Sequence, residues 1–162
     1  DEQLSLLEGN LMETNQTIVD IYSRYLFETE VIDTRADHAM SVDELKDAML
    51  RAQEASYGDG LDPEIRHPYM WACKSHYYSS GYNFYNFPYA FGELFAKGVF
   101  AQYLQKGAAF VPDYCRLLRS CGSGTIADVA ASVGIDVRNP DFWRSSLEVV
   151  KGNIDKFCEL VK

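Results

Sequence analysis

The sequence contains no apolar run long enough to cross a bilayer, and its start has no basic stretch followed by an apolar run. Positive charge is also scarce, since 15 Lys and Arg residues stand against 24 Asp and Glu residues, for a net charge of -9. Binding to nucleic-acid phosphates needs Lys and Arg, so this balance disfavours a nucleic-acid partner. We expect no membrane partner either, and a cytoplasmic location.

Cysteine pairs of the kind that bind metals or exchange electrons are missing. None of the four cysteines, which are Cys73, Cys115, Cys121 and Cys158, belongs to a Cys-x-x-Cys motif. Disulfide frameworks are typical of secreted domains, and this chain has no secretory signal. We therefore expect four reduced, partly buried thiols.

Self-contained catalytic motifs are missing as well. The histidines, His38, His67 and His76, are widely spaced and form no His-Glu-x-x-His pair, whereas a catalytic zinc needs about three protein ligands held close together. No glycine-rich phosphate loop and no Gly-x-Ser-x-Gly motif occurs. Glu28 and Glu30 are interpreted as solvated surface acids on a helix. We expect this chain to bind no metal or cofactor by itself.

Apolar residues recur every three or four positions along the chain, which predicts α-helices, and no alternating pattern typical of strands is present. The length suits one domain with its own core. We predict an all-α helical bundle that forms a single domain over residues 1–162. The predicted helices are 4–35, 42–57, a short one over 68–75, 83–106 with a kink at Pro88, 109–121, a short one capped by Thr125 that ends at Gly134, and 140–160.

One segment of the predicted fourth helix has two aromatic faces of different chemistry. At about 100° per residue, Tyr82, Tyr85 and Tyr89 fall on one side. Four phenylalanines fall on the opposite side, which are Phe84, Phe87, Phe91 and Phe95. We expect the phenylalanine side to face the core and the tyrosine side to face a cleft, because buried phenols usually need hydrogen-bond partners. His76 lies just upstream and would add a second kind of donor at the same opening.

Phenol and imidazole groups on one face can donate hydrogen bonds to a carbonyl oxygen that is becoming an oxyanion. Such a donor is worth about 2.7–4 kcal/mol of transition-state stabilisation. It acts only where another group supplies the attacking water. A purely structural role stays open for this face, because tyrosines often rim a core with the ring packed and the hydroxyl in water.

Four stretches of the sequence form long motifs in a fixed order. They are Leu6-Leu7-Glu8-Gly9, the stretch from Val19 to Glu28, the stretch from Lys74 to Gly92, and Gly134 to Trp143 with its Asn139-Pro140-Asp141-Phe142-Trp143 end. Together they resemble the oligoendopeptidase F family of zinc peptidases, which are related to thimet oligopeptidase. The resemblance extends over nearly the whole chain.

The family's zinc ligands lie in a His-Glu-x-x-His helix and in a glutamate of the next helix, and both would precede the region matched here. The resemblance therefore implies the C-terminal portion of a larger helical peptidase catalytic domain, inactive when isolated. It implies zinc in the full-length enzyme, an oligopeptide substrate, and the N-terminal remainder of the same enzyme as a partner. Self-association of the fragment is also expected, because faces that contact the remainder would be exposed.

The resemblance also implies roles for particular residues. His76 matches a donor to the substrate backbone or the oxyanion, and Tyr89 matches the main transition-state tyrosine. Tyr85 and Tyr82 match weaker positions, and Tyr78 is a further candidate. In the implied reaction zinc polarises the scissile carbonyl and activates a water, and a glutamate of the missing helix is the general base.

Two alternatives stay open at this point. One is a non-catalytic helical module that uses the Tyr/Phe segment to bind a partner or to act as a scaffold. The other is a small-molecule pocket within a helical bundle, in which an organic ligand would lie against Tyr85 and Tyr89.

Overall fold

A computed structural model describes residues 2–162, and within this range it shows the predicted all-α architecture, with no strand. The α-helices of this range are α1 (Glu2–Asn15), α2 (Ile21–Thr34), α3 (Val42–Tyr57), α4 (Phe87–Lys106), α5 (Val111–Ser120), α6 (Ile126–Ala131) and α7 (Pro140–Leu160). A five-residue π-helix, Gln16–Asp20, joins α1 to α2. None of the described helices combines the length and the apolarity that crossing a bilayer would require.

The chain divides into two compact units. The aromatic unit consists of Met12–Phe91, and the terminal unit consists of the residues up to Leu11 together with Gly92–Lys162. The organisation as a single domain stays a prediction.

Helices α2 and α3 pack against each other in the aromatic unit. Their buried contact consists of Phe27, Ala48, Met49 and Ala52. The predicted capping box at the start of α3 is confirmed, because Ser41 Oγ accepts a hydrogen bond from the Glu44 N–H and the Ser41 N–H donates to Glu44 Oε2 at 2.7 Å. The Ser41 N–H, with help from His38, lowers the pKa of Glu44 to about 2.

The core of the terminal unit is built from α4, α5, α6 and α7. Its buried members are Val99, Phe110, Leu117, Ala130, Val133, Ile135 and Phe142. The start of α7 follows its sequence signals, because the Asn139 side chain accepts from the Asp141 N–H at 2.9 Å and Pro140 occupies the first turn. Trp143 Nε1 donates to the Val137 carbonyl at 2.8 Å and fastens the preceding loop to this helix.

Three local predictions need correction. The expected helix over 68–75 consists of two 3₁₀ turns, Met70–Cys73 and Ser75–Tyr78, and α5 begins at Val111 because Gly107–Phe110 forms a 3₁₀ turn. All four thiols are free, but only Cys115 is partly buried, whereas the other three cysteines are exposed. The three exposed cysteines lie in a 3₁₀ turn or at the end of a helix, and such positions place a side chain outside the packed faces.

Gly98 allows α4 and α7 to approach closely in the terminal unit. A Cβ at this position would lie 2.5 Å from Phe142 Cζ and 2.7 Å from Ser146 Oγ. We expect Gly98→Ala to lower the free energy of unfolding by about 1–3 kcal/mol, measured by urea denaturation, because Phe142 must leave its packed position.

Gly152→Ala is the matched control for this substitution. Gly152 lies in α7, and a Cβ added there would meet no atom within 4 Å. The added methyl group should therefore raise stability by about 0.5–1 kcal/mol. Equal effects of the two substitutions would contradict the close approach at Gly98.

Candidate functional site

The aromatic segment is not the continuous helix that its periodicity predicts. Helix α4 begins at Phe87, so Tyr82 and Tyr85 lie in the turns that precede it, and Pro88 lies in its first turn, where a missing N–H breaks no helical bond. Phe84 has a φ of 54°, and it is the one residue other than glycine with a positive φ among residues 2–162. A left-handed residue ends any right-handed helix, and this is why the predicted start at residue 83 is wrong.

The structure nevertheless brings the predicted histidine and tyrosines together. The His76 ring stacks on Tyr85, with 5.8 Å between centroids and 14° between planes, and its centroid lies 6.0 Å from that of Tyr82 and 6.4 Å from that of Tyr89. Tyr85 also contacts Tyr82 at 5.1 Å and Tyr89 at 5.8 Å. We call His76, Tyr82, Tyr85 and Tyr89 the donor cluster.

The donor cluster is open to solvent. Its three tyrosines are 44% to 49% exposed, and within the described part of the chain their hydroxyls have no hydrogen-bond partner. Tyr78 is exposed and makes no ring contact with the cluster in that same part. The expected burial of the phenylalanine side is wrong for Phe87, which is 61% exposed because the chain has only just entered α4 there.

A pocket of about 290 Å³ lies beside the cluster, within the aromatic unit. The residues that line it come from the π-helix, α2, the 3₁₀ turn at 75–78 and the aromatic segment. They are Gln16, Thr17, Ile21, Arg24, Glu28, Lys74, His76, Tyr77, Tyr85, Asn86 and Tyr89. The pocket therefore presents phenol and imidazole donors next to charged groups of α2.

A buried network around Asp20 adjoins this pocket through Gln16 and Arg24, which line it. The Asp20 carboxyl accepts hydrogen bonds from the side chains of Gln16 and Arg24, and from the Tyr57 hydroxyl at 3.0 Å. Tyr77 donates from its hydroxyl to the Arg24 carbonyl oxygen at 3.3 Å. Buried charges need such partners, so the network holds Arg24, which lines the pocket, against Asp20.

Glu28 was expected on the solvated surface, and this expectation is wrong. Its side chain is buried, with Oε1 accepting from the Phe84 N–H at 2.7 Å and Oε2 accepting from Asn86 Nδ2 at 2.8 Å. A hydrogen bond to a charged group contributes about 1.5–3 kcal/mol to folding stability. The two bonds of Glu28 together therefore exceed the roughly 1–2 kcal/mol of stability that the left-handed conformation of Phe84 costs. Glu30, by contrast, pairs with Arg51 near the surface.

Two partly buried tyrosines, Tyr57 and Tyr77, make the aromatic unit sensitive to alkaline pH. Burial, together with the neighbouring Asp20 carboxyl, raises the pKa of Tyr57 to about 12 from an ordinary 10.0. Burial also raises the pKa of Tyr77, although Arg24 opposes part of the effect. When folding raises the pKa of a phenol, the stability linked to its proton is complete at pH values below the pKa of the unfolded chain. This stability is lost as the pH rises through the pKa of the folded state.

We therefore expect the free energy of unfolding to fall between about pH 10 and pH 12. A Tyr57→Phe/Tyr77→Phe variant should lose less stability over this window, because it has no phenol to ionise there. Urea denaturation at several pH values, with the ultraviolet absorbance of tyrosinate as a second signal, measures both. Parallel pH profiles for the two proteins would contradict this role of the phenols.

Sequence reasoning placed His76 and the three tyrosines near one another, but it missed Arg24 and Glu28 of the pocket and the Asp20 carboxyl that binds Arg24. Asp20, Arg24 and Glu28 are spaced four residues apart, which places them on one helix face. Their charges alternate in sign along the helix face that also contains the buried Ile21. This alternation is the signal that could have identified these three residues.

Comparison with known proteins gives one informative similarity. The chain is 27% identical over 105 residues to Oligopeptidase PepF of Bacillus subtilis (strain 168), a match that covers 65% of this chain and 15% of that protein. This identity indicates a distant relation to that oligopeptidase, and the chain spans only a small part of its length. No family model matches the chain, and no solved structure does.

The described side chains do not provide a zinc site. Among residues 2–162, no three or more His, Cys, Asp or Glu side chains converge in a way that could hold a metal ion. His76 has tyrosine rings as its neighbours, and the carboxyl groups of Asp20 and Glu28 are engaged by hydrogen bonds.

Proposed function

We propose that this chain is the C-terminal part of a cytoplasmic, zinc-dependent oligoendopeptidase, in which it supplies the side chains that stabilise the transition state of peptide-bond hydrolysis. One observation supports this proposal above the others. His76, Tyr85 and Tyr89 converge on an open pocket, and the phenol hydroxyls have no partner among residues 2–162. The distant relation to Oligopeptidase PepF is consistent with it.

The donor cluster has the chemistry that an attacked carbonyl needs. As water adds to the scissile carbonyl, the oxygen gains negative charge and becomes a stronger hydrogen-bond acceptor. In this proposal Tyr89 donates its phenol proton in a hydrogen bond to that oxygen, and the His76 imidazole donates a second one. Since these groups have no hydrogen-bond partner to give up among the described residues, stabilisation of the oxyanion requires no rearrangement of hydrogen bonds there.

Tyr85 and Tyr82 have supporting roles in this proposal. Tyr85 lines the pocket and stacks on His76, so it fixes the plane of the imidazole. Tyr82 contacts both rings but does not line the pocket. We therefore expect Tyr85 to contact the oligopeptide substrate and Tyr82 to limit the movement of its neighbours.

Zinc and the general base belong, in this proposal, to the N-terminal remainder of the enzyme, because this chain has no suitable set of ligands among its described residues. The isolated chain should then be inactive. The test uses the natural protein in its full encoded length and a fluorescence-quenched oligopeptide, with and without a chelator. Cleavage that a chelator abolishes and added zinc restores would support the proposal. An upstream sequence without His-Glu-x-x-His, or cleavage indifferent to the chelator, would overturn it.

A non-catalytic binding module is the second candidate, and exposed rings on α2 favour it. Tyr22 and Tyr25 stack at 6.3 Å on the surface of α2, and Tyr25 also contacts Phe84. Such a surface could pack against a partner protein. Under this alternative the full-length protein would cleave no oligopeptide, and substitution of Tyr22 would weaken partner binding more than substitution of Tyr89.

A further inference from the structure

We propose that Glu28 is a positioning residue, whose two carboxyl oxygens hold the turn containing Tyr85 and the start of the helix containing Tyr89 in the arrangement that oxyanion stabilisation requires. This inference rests on the proposed function for its catalytic consequence. Its structural half, that one carboxyl group of α2 fixes the donor cluster, can be tested independently of activity.

The contacts of Glu28 join α2 to the aromatic segment across a long stretch of sequence. One oxygen binds the Phe84 N–H and the other binds Asn86 Nδ2, 56 and 58 residues further along the chain. Phe84 is the left-handed residue that turns the chain, and Asn86 is the residue before α4. A single side chain therefore defines both the bend and the entry into the helix.

Asn86 transmits this restraint to Tyr89. Its side chain is only 6% exposed, and its main-chain oxygen accepts a hydrogen bond from the Tyr89 N–H at 3.3 Å. On the other side of the bend, the Tyr85 N–H donates to the Tyr82 oxygen at 3.0 Å. The Phe84 N–H thus lies inside the first of two successive short turns, which contains Tyr82 and Tyr85, and the second turn runs from Asn86 to Tyr89.

The amide of Asn86 makes a sharp test possible. Nδ2 donates to Glu28, whereas the buried Oδ1 has no hydrogen-bond partner among the described residues. Glu28→Gln would keep one oxygen for the Phe84 N–H, and its new N–H group could donate to Oδ1 once the Asn86 amide turns over. Asn86→Asp, by contrast, would oppose two carboxyl groups at hydrogen-bond distance, which repel each other.

The experiment uses the full-length natural protein and two readouts: amide hydrogen exchange at Phe84, and kcat with KM for oligopeptide cleavage. We expect Glu28→Ala to speed exchange at Phe84 by at least about tenfold, because the amide loses its acceptor. It should also lower kcat by about tenfold with little change in KM, because the displaced donors act mainly in the transition state. Glu28→Gln should retain both properties.

A second pair of variants keeps the test decisive if Glu28→Ala fails to fold. Asn86→Asp should show the faster exchange and the lower kcat, and the double variant Glu28→Gln/Asn86→Asp should restore both, since an amide then faces a carboxyl group again. Glu30→Gln is the matched control, because Glu30 pairs with Arg51 and does not contact the aromatic segment. It should leave exchange at Phe84 unchanged.

Three results would overturn the proposal. Exchange at Phe84 that is unaffected by Glu28→Ala would show that another contact fixes the turn. A Glu28→Gln variant with normal exchange and greatly reduced kcat would show that Glu28 acts in proton transfer instead of positioning. Failure of Glu28→Gln to rescue Asn86→Asp would exclude the pairing. If the wild-type protein cleaves no oligopeptide, the proposed function fails, while hydrogen exchange still decides whether Glu28 fixes the cluster.

Discussion

In the full-length protein, Tyr89→Phe should lower kcat for oligopeptide hydrolysis by about 10²- to 10³-fold and leave KM nearly unchanged. The substitution removes one hydroxyl and keeps the ring, so the contacts of Tyr89 with His76 and Tyr85 persist. Only the hydrogen bond to the developing oxyanion is lost, and that bond is weak in the ground state. Steady-state kinetics with a fluorescence-quenched oligopeptide measure both constants.

Tyr22→Phe is the matched control for this prediction. Tyr22 is also about half exposed, and its ring stacks on a tyrosine, but it does not line the pocket. Its kinetics should equal those of the wild type. If Tyr89→Phe behaves in the same way as Tyr22→Phe, Tyr89 has only a packing role, and the chemistry proposed for the donor cluster is wrong.

The largest stability effect is expected in the terminal unit, at Phe110. This side chain is 1% exposed within a cluster of aliphatic and aromatic residues, and Lys106 Nζ lies 5.3 Å from its ring centroid. Phe110→Ala should lower the free energy of unfolding by about 3–5 kcal/mol, because a ring-sized cavity remains where the core has little freedom to collapse. Urea denaturation followed by circular dichroism measures this loss.

Phe100→Ala provides the comparison for Phe110. Phe100 lies on α4 with about half of its surface exposed, and its ring stacks on Tyr103 at 6.2 Å. Loss of this ring should change stability by less than about 1 kcal/mol. Similar losses for the two variants would contradict the core assigned to the terminal unit.

Helix ends with local capping signals were predictable from the sequence. The box formed by Ser41 and Glu44 and the cap of Asn139 with Pro140 each depend on residues within three positions of one another. Gly107 ends α4 in the same local way, with a φ of 59° that glycine adopts without strain. At these helix ends the structural cause is local, and sequence and structure agree.

The bend at Phe84 was not predictable, because its cause is distant in sequence. Periodicity favours continuing the helix through this residue, and the partner that stabilises the bend, Glu28, is 56 residues away. The same contact explains why Glu28 is buried although an acid on a helix is usually solvated. The tyrosines remain together in spite of the bend, because two backbone hydrogen bonds keep this segment in helix-like turns. The Tyr85 N–H donates to the Tyr82 oxygen, and the Tyr89 N–H donates to the Asn86 oxygen.

The most direct test of the central claim is the affinity of a tetrahedral analogue for the full-length protein and its Tyr89→Phe variant. A peptide with a phosphinate in place of the scissile amide resembles the oxyanion intermediate, whereas the uncleaved peptide resembles the ground state. We predict that Tyr89→Phe weakens binding of the analogue by about the same factor as it lowers kcat, with no change in affinity for the ordinary peptide. Equal affinity of the wild type and the variant for the analogue would contradict the claim that these phenols stabilise an oxyanion.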